Sequence, residues 1–184
     1  MAKFVGSEKN PLRRKGWRRR DSLSDANPLG REQEIKERAM SLDGTYDPNN
    51  IFAKILRGEA PCARVFEDDH VLSFMDVFPQ VKGHTLVIPK HSNARNLLEE
   101  DPQVLAPLIL GVQRVARAVR AALEPDGLVI TQFNGTAAGQ TVFHPHFHIL
   151  PRWEGVAVGR HASGGMADPA ELKALAEQIA AQIT

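Results

Sequence analysis

The chain has 184 residues, enough for one domain with a hydrophobic core that needs no covalent staples. Hydrophobic residues make up 42% and charged residues 24%, a balance that excludes fibrous and wholly disordered classes, and no apolar run approaches the ~18 residues of a membrane-spanning helix. The net charge of +1 hides an asymmetry: residues 1–20 hold eight basic side chains against Glu8 alone, a local +7, so the other 164 residues carry −6.

Residues 1–46 show few branched apolar residues and no sustained period, and read as a basic, disordered extension. The run "LRRKGWRRRDS" with Trp17 could serve as a nucleic-acid arm, but one basic run without a supporting fold is a weak signal, and nucleic acid is not expected as a partner. No apolar segment follows the basic start, against a secretory signal. The single Cys62 excludes an internal disulfide, fits a reducing, cytoplasmic compartment, and reads as a packed small hydrophobe.

The folded domain is expected over 47–184. "DPNNIFAKILRGEAP" predicts a short helix with Asp47 as N-cap, Pro48 at the first position, and Ile51, Phe52 and Ile55 on one face. "ARVFED" and "HVLSFMDV" predict two strands about Asp68-Asp69, and "GHTLVIPK" a third, stopped by Pro89. A long helix follows: Asp101 caps, Pro102 starts, and Leu105, Leu108, Ile109, Val112, Val115, Ala116 and Val119 form one apolar stripe. "GLVITQFN" and "TVFHPHFHIL" predict the fourth and fifth strands, and a last helix begins at Asp168-Pro169. Strands in succession around one long helix predict an α+β fold with a mostly antiparallel sheet.

The fifth strand carries the chemistry. His144, His146 and His148 stand at i, i+2 and i+4, so in a strand all three share one face, with Phe143, Phe147 and Ile149 on the other. Pro145 gives the ladder no N–H. Three imidazoles can be idle on a surface, hold zinc, or act at phosphorus. No carboxylate beside the strand supplies the partner that a metal-bound histidine usually needs. A neutral imidazole is a good nucleophile near pH 7, and its neighbours can donate to phosphoryl oxygens. The preceding "NGTAAGQT" fits that use, with Asn134, Gln140 and Thr141 as neutral donors and backbone amides that can approach an anion. His70, His91 and His161 read as surface residues.

His144-Pro-His146-Phe-His148-Ile149-Leu150 resembles the mark of the histidine triad (HIT) family, and the likeness extends to "NGTAAGQTVFHPHFHILPR", "GHTLVIPKH", "VFEDDHVLSFMDV" and "IFAKILRGEAP". The resemblance implies a half-barrel with a five-stranded, mostly antiparallel sheet, one long helix and a short N-terminal helix, usually as a homodimer. It implies a hydrolase that cleaves purine nucleotides, adenosine or guanosine phosphates, at the α-phosphate, acting on phosphoramidates or dinucleoside polyphosphates. His146 would attack phosphorus and form a nucleotidyl-imidazole, while His144 and His148 orient it and contact phosphate oxygens. His84 would support the triad. Asn134, Gly139, Gln140 and Thr141 would lie on the phosphate side, Thr141 assisting the leaving group. Asp76 would accept from the ribose hydroxyls, and Ile51, Phe52, Phe74, Val77 and Leu86 would wall the base. No cofactor is required, although magnesium could accompany a polyphosphate. A non-catalytic purine-nucleotide-binding regulatory module is the alternative. Some bacterial relatives hold a structural zinc that begins with a Cys-x-x-Cys pair on the first helix. Here that place reads Asn50-Ile51-Phe52-Ala53, so no metal is expected.

Overall fold

The computed structural model describes residues 42–157, 159 and 165–184. Most of the basic extension, residues 1–41, and His161 lie outside the described residues. In chain order the elements are α1 (Ile51–Leu56), β1 (Arg64–Glu67), β2 (Val71–Met75), β3 (Thr85–Pro89), α2 (Pro102–Leu123), β4 (Gly127–Thr131), β5 (Phe147–Arg152) and α3 (Pro169–Ala180). The strands form one antiparallel sheet in the order β1-β2-β3-β5-β4, the expected α+β architecture.

Strand alternation sorts the side chains of this sheet between two cores. Val71, Met75, Val87 and Ile149 face α2 and α3, where Leu108, Val112, Val115, Val119, Leu172 and Ile179 meet them. Leu72, Phe74, Leu86 and Ile88 face the other way and pack with Phe52 and Ile55 of α1. Each such side chain, fully buried, contributes roughly 1.5–3 kcal/mol. Asp76, His84 and His148 have the parity of the second set. The registers Met75↔Thr85 and Leu86↔His148 therefore carry polar groups onto the face that α1 partly covers.

The helix termini follow their caps. Asp101 Oδ1 accepts from the Gln103 N–H at 2.8 Å and Asp168 Oδ1 from the Ala170 N–H at 2.7 Å, with proline next in each case. The first helix differs from expectation. Its cap is Asn50, whose Oδ1 accepts from the Phe52 and Ala53 N–H groups at 3.0 Å, because Asp47 spends its carboxylate on the Asn49 N–H. The helix thus begins three residues later, and Ile51 is 46% exposed instead of sharing the buried face of Phe52 and Ile55. On α2, Ile109 departs from the expected stripe and is 50% exposed.

The largest departure is the fifth strand, which begins at Phe147 and leaves His144 and His146 outside it. Pro145 cannot donate to a ladder, and the His144 ring turns to the Pro89 carbonyl at the end of β3. The segment therefore crosses the strand end without pairing along it. Phe143 does not reach a core either: the Arg95 guanidinium stacks over its ring at 4.4 Å. At the far end Pro151 does not stop the strand, which continues to Arg152. The β3–β5 pairing ends at Ile149, so only β4 lies beside Pro151.

Candidate active site

The three histidines form a cluster, although only one of them is on a strand. The His146 and His148 ring centroids are 4.9 Å apart. Phe52 of α1 sits edge-on to His146 at 5.0 Å and to His144 at 6.3 Å. All three rings are buried, with 0%, 3% and 3% exposure for His144, His146 and His148. Buried imidazoles must find hydrogen-bond partners, and those partners assign the protons.

His144 is a structural peg. Its Nε2 lies 3.0 Å from the Pro89 carbonyl, which can only accept, so Nε2 carries the proton. Its Nδ1 then holds a lone pair and accepts from the Tyr46 hydroxyl at 2.8 Å. Burial pushes its pKa down to about 4, against the small upward pull of the Pro89 carbonyl. Both ring nitrogens are thus engaged by protein groups. This corrects the expectation that His144 contacts phosphate oxygens: its ring has no edge to offer them, and it orients His146 through its backbone. The His146 Nδ1–H donates to the His144 carbonyl at 2.7 Å, which leaves Nε2 as the nitrogen of His146 with the lone pair.

His148 is held by a chain from the sheet. His84 Nε2 and His148 Nδ1 are 2.9 Å apart, and His84 Nδ1 lies 3.3 Å from Asp76 Oδ2. The Gln80 N–H also approaches His84 Nδ1, at 3.3 Å. The carboxylate is the stronger partner because it bears charge, so we assign the Nδ1 proton to the Asp76 side. His84 Nε2 then accepts from the His148 Nδ1–H. Asp76 is 5% exposed, and its Oδ1 also accepts from the Phe78 N–H at 2.8 Å. The donor atoms of Asp76, His84 and His148 lie within 4.8 Å of one another, close enough to consider a cation. Two imidazoles and one carboxylate suit a transition metal better than magnesium, which prefers an all-oxygen set.

The loop 134–141 frames the cluster. Gly139, at φ 101°, takes a left-handed conformation that glycine adopts without strain, next to the short 3-10 turn Thr136–Ala138. Gln140 is 1% exposed, and its Nε2 donates to the Arg95 carbonyl at 2.6 Å and to the Val142 carbonyl at 3.0 Å, while its Oε1 accepts from the Gly135 N–H at 2.7 Å. Both amide hydrogens are therefore spent, and Gln140 is a loop brace and not the neutral phosphate donor expected. Asn134 Oδ1 accepts from the Leu97 N–H at 2.9 Å, and its amide donates to Gln132. Thr141 and Gly139 are exposed.

Comparison with known proteins decides the family. The HIT domain model matches residues 57–155. The chain belongs to the HIT family. Over 105 residues the HIT domain is 47% identical to "Protein hit" of Bacillus subtilis, an alignment covering 57% of this chain and 72% of that one. It is 37% identical over 136 residues to the adenosine 5'-monophosphoramidase hnt1 of Schizosaccharomyces pombe, covering 72% and 97%. A solved Hit-like protein of Bartonella henselae superposes with a TM-score of 0.72 at 47% identity, covering 76% of this chain and all of that one.

Within the HIT domain the expected base wall is split. Phe52, Phe74 and Leu86 are buried on the α1 side of the sheet, while Ile51 and Val77 are 46% and 41% exposed. Two cavities of about 520 Å³ flank α3, one reaching His84 beside Lys82 and Glu171, but neither is lined by the triad. The site is therefore located by its side-chain chemistry and not by cavity size. His70 and His91 are exposed, as expected, and burial pushes the half-buried Cys62 thiol up, away from the reactive thiolate. Sequence reasoning missed Tyr46, which it assigned to the extension. Its signal was slight: the one tyrosine in the chain, just before an Asp-Pro turn.

Proposed function

We propose that the protein is a nucleotide hydrolase that cleaves at the α-phosphate through a covalent nucleotidyl-histidine, with nucleoside phosphoramidates and dinucleoside polyphosphates as its substrates. The observation that carries this reading is the His146 ring. Its Nδ1–H is fixed on the His144 carbonyl, so Nε2 holds the lone pair in a buried, preoriented imidazole. Nε2 attacks the α-phosphorus: a P–N bond forms, and the bond to the amine or to the second nucleoside phosphate breaks. The leaving group departs with a proton, for which exposed Thr141 is our candidate assistant. Water then attacks phosphorus, releases the nucleoside monophosphate and restores His146.

His148 stands beside the nucleophile with its Nδ1–H spent on His84. It therefore meets the charge building on the phosphoryl oxygens as the imidazolium, with Nε2–H as the donor and the Asp76 carboxylate behind His84 as its counter-charge. Each carboxylate oxygen has more than one lone pair, so Asp76 can hold His84 and still accept from a ribose diol. The adenosine 5'-monophosphoramidase of Schizosaccharomyces pombe supports the phosphoramidate branch. The covalent step in this scheme needs no metal ion, and magnesium would travel with a polyphosphate on its own oxygens. The domain acts as a homodimer in the cytoplasm in this reading, with β4 as the joining edge. The test is turnover of adenosine phosphoramidate and diadenosine polyphosphates by the full chain and by His146→Ala. Release of AMP by the parent, abolished in the variant with nucleotide binding retained, supports the scheme. Binding without turnover in the parent would mark a regulatory nucleotide-binding module instead.

A further inference from the structure

We propose that Tyr46 is a positioning residue of the triad, acting through His144 to fix the His146 imidazole, an inference that rests on the hydrolase reading above. The linkage has three bonds in series. The Tyr46 hydroxyl donates to His144 Nδ1 at 2.8 Å across 98 residues of chain, the His144 Nε2–H donates to the Pro89 carbonyl at 3.0 Å, and the His144 carbonyl accepts the His146 Nδ1–H at 2.7 Å. Because Pro89 offers only an acceptor, His144 can be neutral and satisfied in one tautomer alone, and that tautomer requires a donor at Nδ1. Tyr46 supplies it.

The peg matters because no ladder holds this stretch. His144 and His146 precede β5, and Pro145 between them has no N–H to give. The angle at which His146 stands is therefore set by where residue 144 is pinned. Tyr46 is itself well anchored. The Asn96 side chain donates to the Leu42 carbonyl at 2.9 Å on one side of it, and Arg57 donates to the Pro48 carbonyl at 2.6 Å on the other. Its ring lies 5.8 Å from the His144 ring, tilted at 53°. The folded, site-building part of the chain thus begins before Asp47.

Removing the hydroxyl leaves a buried imidazole nitrogen without its donor, which frees the ring to turn or take up a proton. Tyr46→Phe in the full chain, assayed on adenosine phosphoramidate, should lower kcat about tenfold and leave KM within about twofold, the pattern of lost transition-state alignment. A second measurement separates positioning from mere packing. The sequence contains one tyrosine, so growth on difluorotyrosine replaces Tyr46 alone and acidifies its phenol while keeping the ring. An ionised phenol can only accept, so the alkaline limb of kcat should move to lower pH in step with the absorbance titration of the phenol. The groups facing that phenol are Asp47, Asn50, Arg57, Glu100 and His144, and burial raises its pKa above the usual tyrosine value. Should Tyr46→Phe not fold, the fluorinated chain carries the test by itself. Unchanged kcat in a folded Tyr46→Phe, or an alkaline limb that fluorination does not move, overturns the proposal while leaving the hydrolase reading intact. A parent protein that hydrolyses none of the substrates overturns both.

Discussion

At the scale of single residues, three histidines of one sequence pattern have three different surroundings. His144 is neutral and spent on Tyr46 and Pro89, His146 presents Nε2, and His148 is tied to His84 and Asp76. The difference is measurable in stability. The folded pKa of His144 is pushed down to about 4, whereas an unfolded histidine titrates near ~6.5, so between those values the unfolded chain binds more protons. The contribution of His144 is therefore fully present above ~6.5, declines as pH falls towards about 4, and changes no further below it; the window is worth about 3 kcal/mol. Urea unfolding followed from neutral to acid pH should show this fall in the parent and a flatter profile in His144→Asn. Equal slopes in the two proteins would contradict the assignment of a neutral, buried His144. That the three histidines would gather in one cluster was legible in the sequence, and the family resemblance implied His146 as the attacking ring. That His144 is a peg was not legible, because the groups that hold it, Tyr46 and the Pro89 carbonyl, lie 98 and 55 residues away.

Element by element, legibility followed local chemistry. The start of the long helix was readable to the residue, because Asp101-Pro102 is both a cap and a start and a strong apolar stripe follows. The strands over 71–75, 85–89 and 127–131 fell inside their predicted segments. The failures share a cause: Asp47 and His144 are positions where a turn or tertiary contact takes a group that the sequence reading had assigned elsewhere. Packing on α2 supplies a further test. Gly111 sits against fully buried Val71, and a Cβ placed on it would meet Val71 Cγ2 at 2.7 Å. Helix propensity favours alanine there by up to about 1 kcal/mol, but overpacking in a tight core costs about 1–3 kcal/mol. Gly111→Ala should therefore be destabilising by about 1 kcal/mol in chemical denaturation. A stabilised variant would show that α2 and β2 are less closely packed than the structure has them.

On the scale of the whole molecule, the sheet has two edges and treats them differently. β1 is four residues long, shifts register between Arg64 and Phe66, and is packed against α3. β4 ends the sheet on the other side with Val129 and Ile130 43% and 46% exposed, and Ile109 of α2, 50% exposed, lines one groove with Ile130. An apolar strand edge with a helix face beside it is what a second copy would cover by antiparallel pairing. In the homodimer proposed above, Ile130→Lys should shift the equilibrium towards monomer in sedimentation, since burying an unpaired charge at the join costs several kcal/mol. A parent already monomeric at high concentration would contradict the pairing. No helix among the described residues is long and apolar enough to cross a membrane.

The account turns on a bond between phosphorus and one ring nitrogen. Acid-free quenching of the full chain during turnover of adenosine phosphoramidate, followed by peptide mass spectrometry, looks for it directly. The prediction is one adenylyl group on the peptide carrying residues 139–152, placed on His146 by fragmentation and absent in His146→Ala. Turnover with no adduct on that peptide at any quench time, or an adduct on His144 or His148, would contradict it.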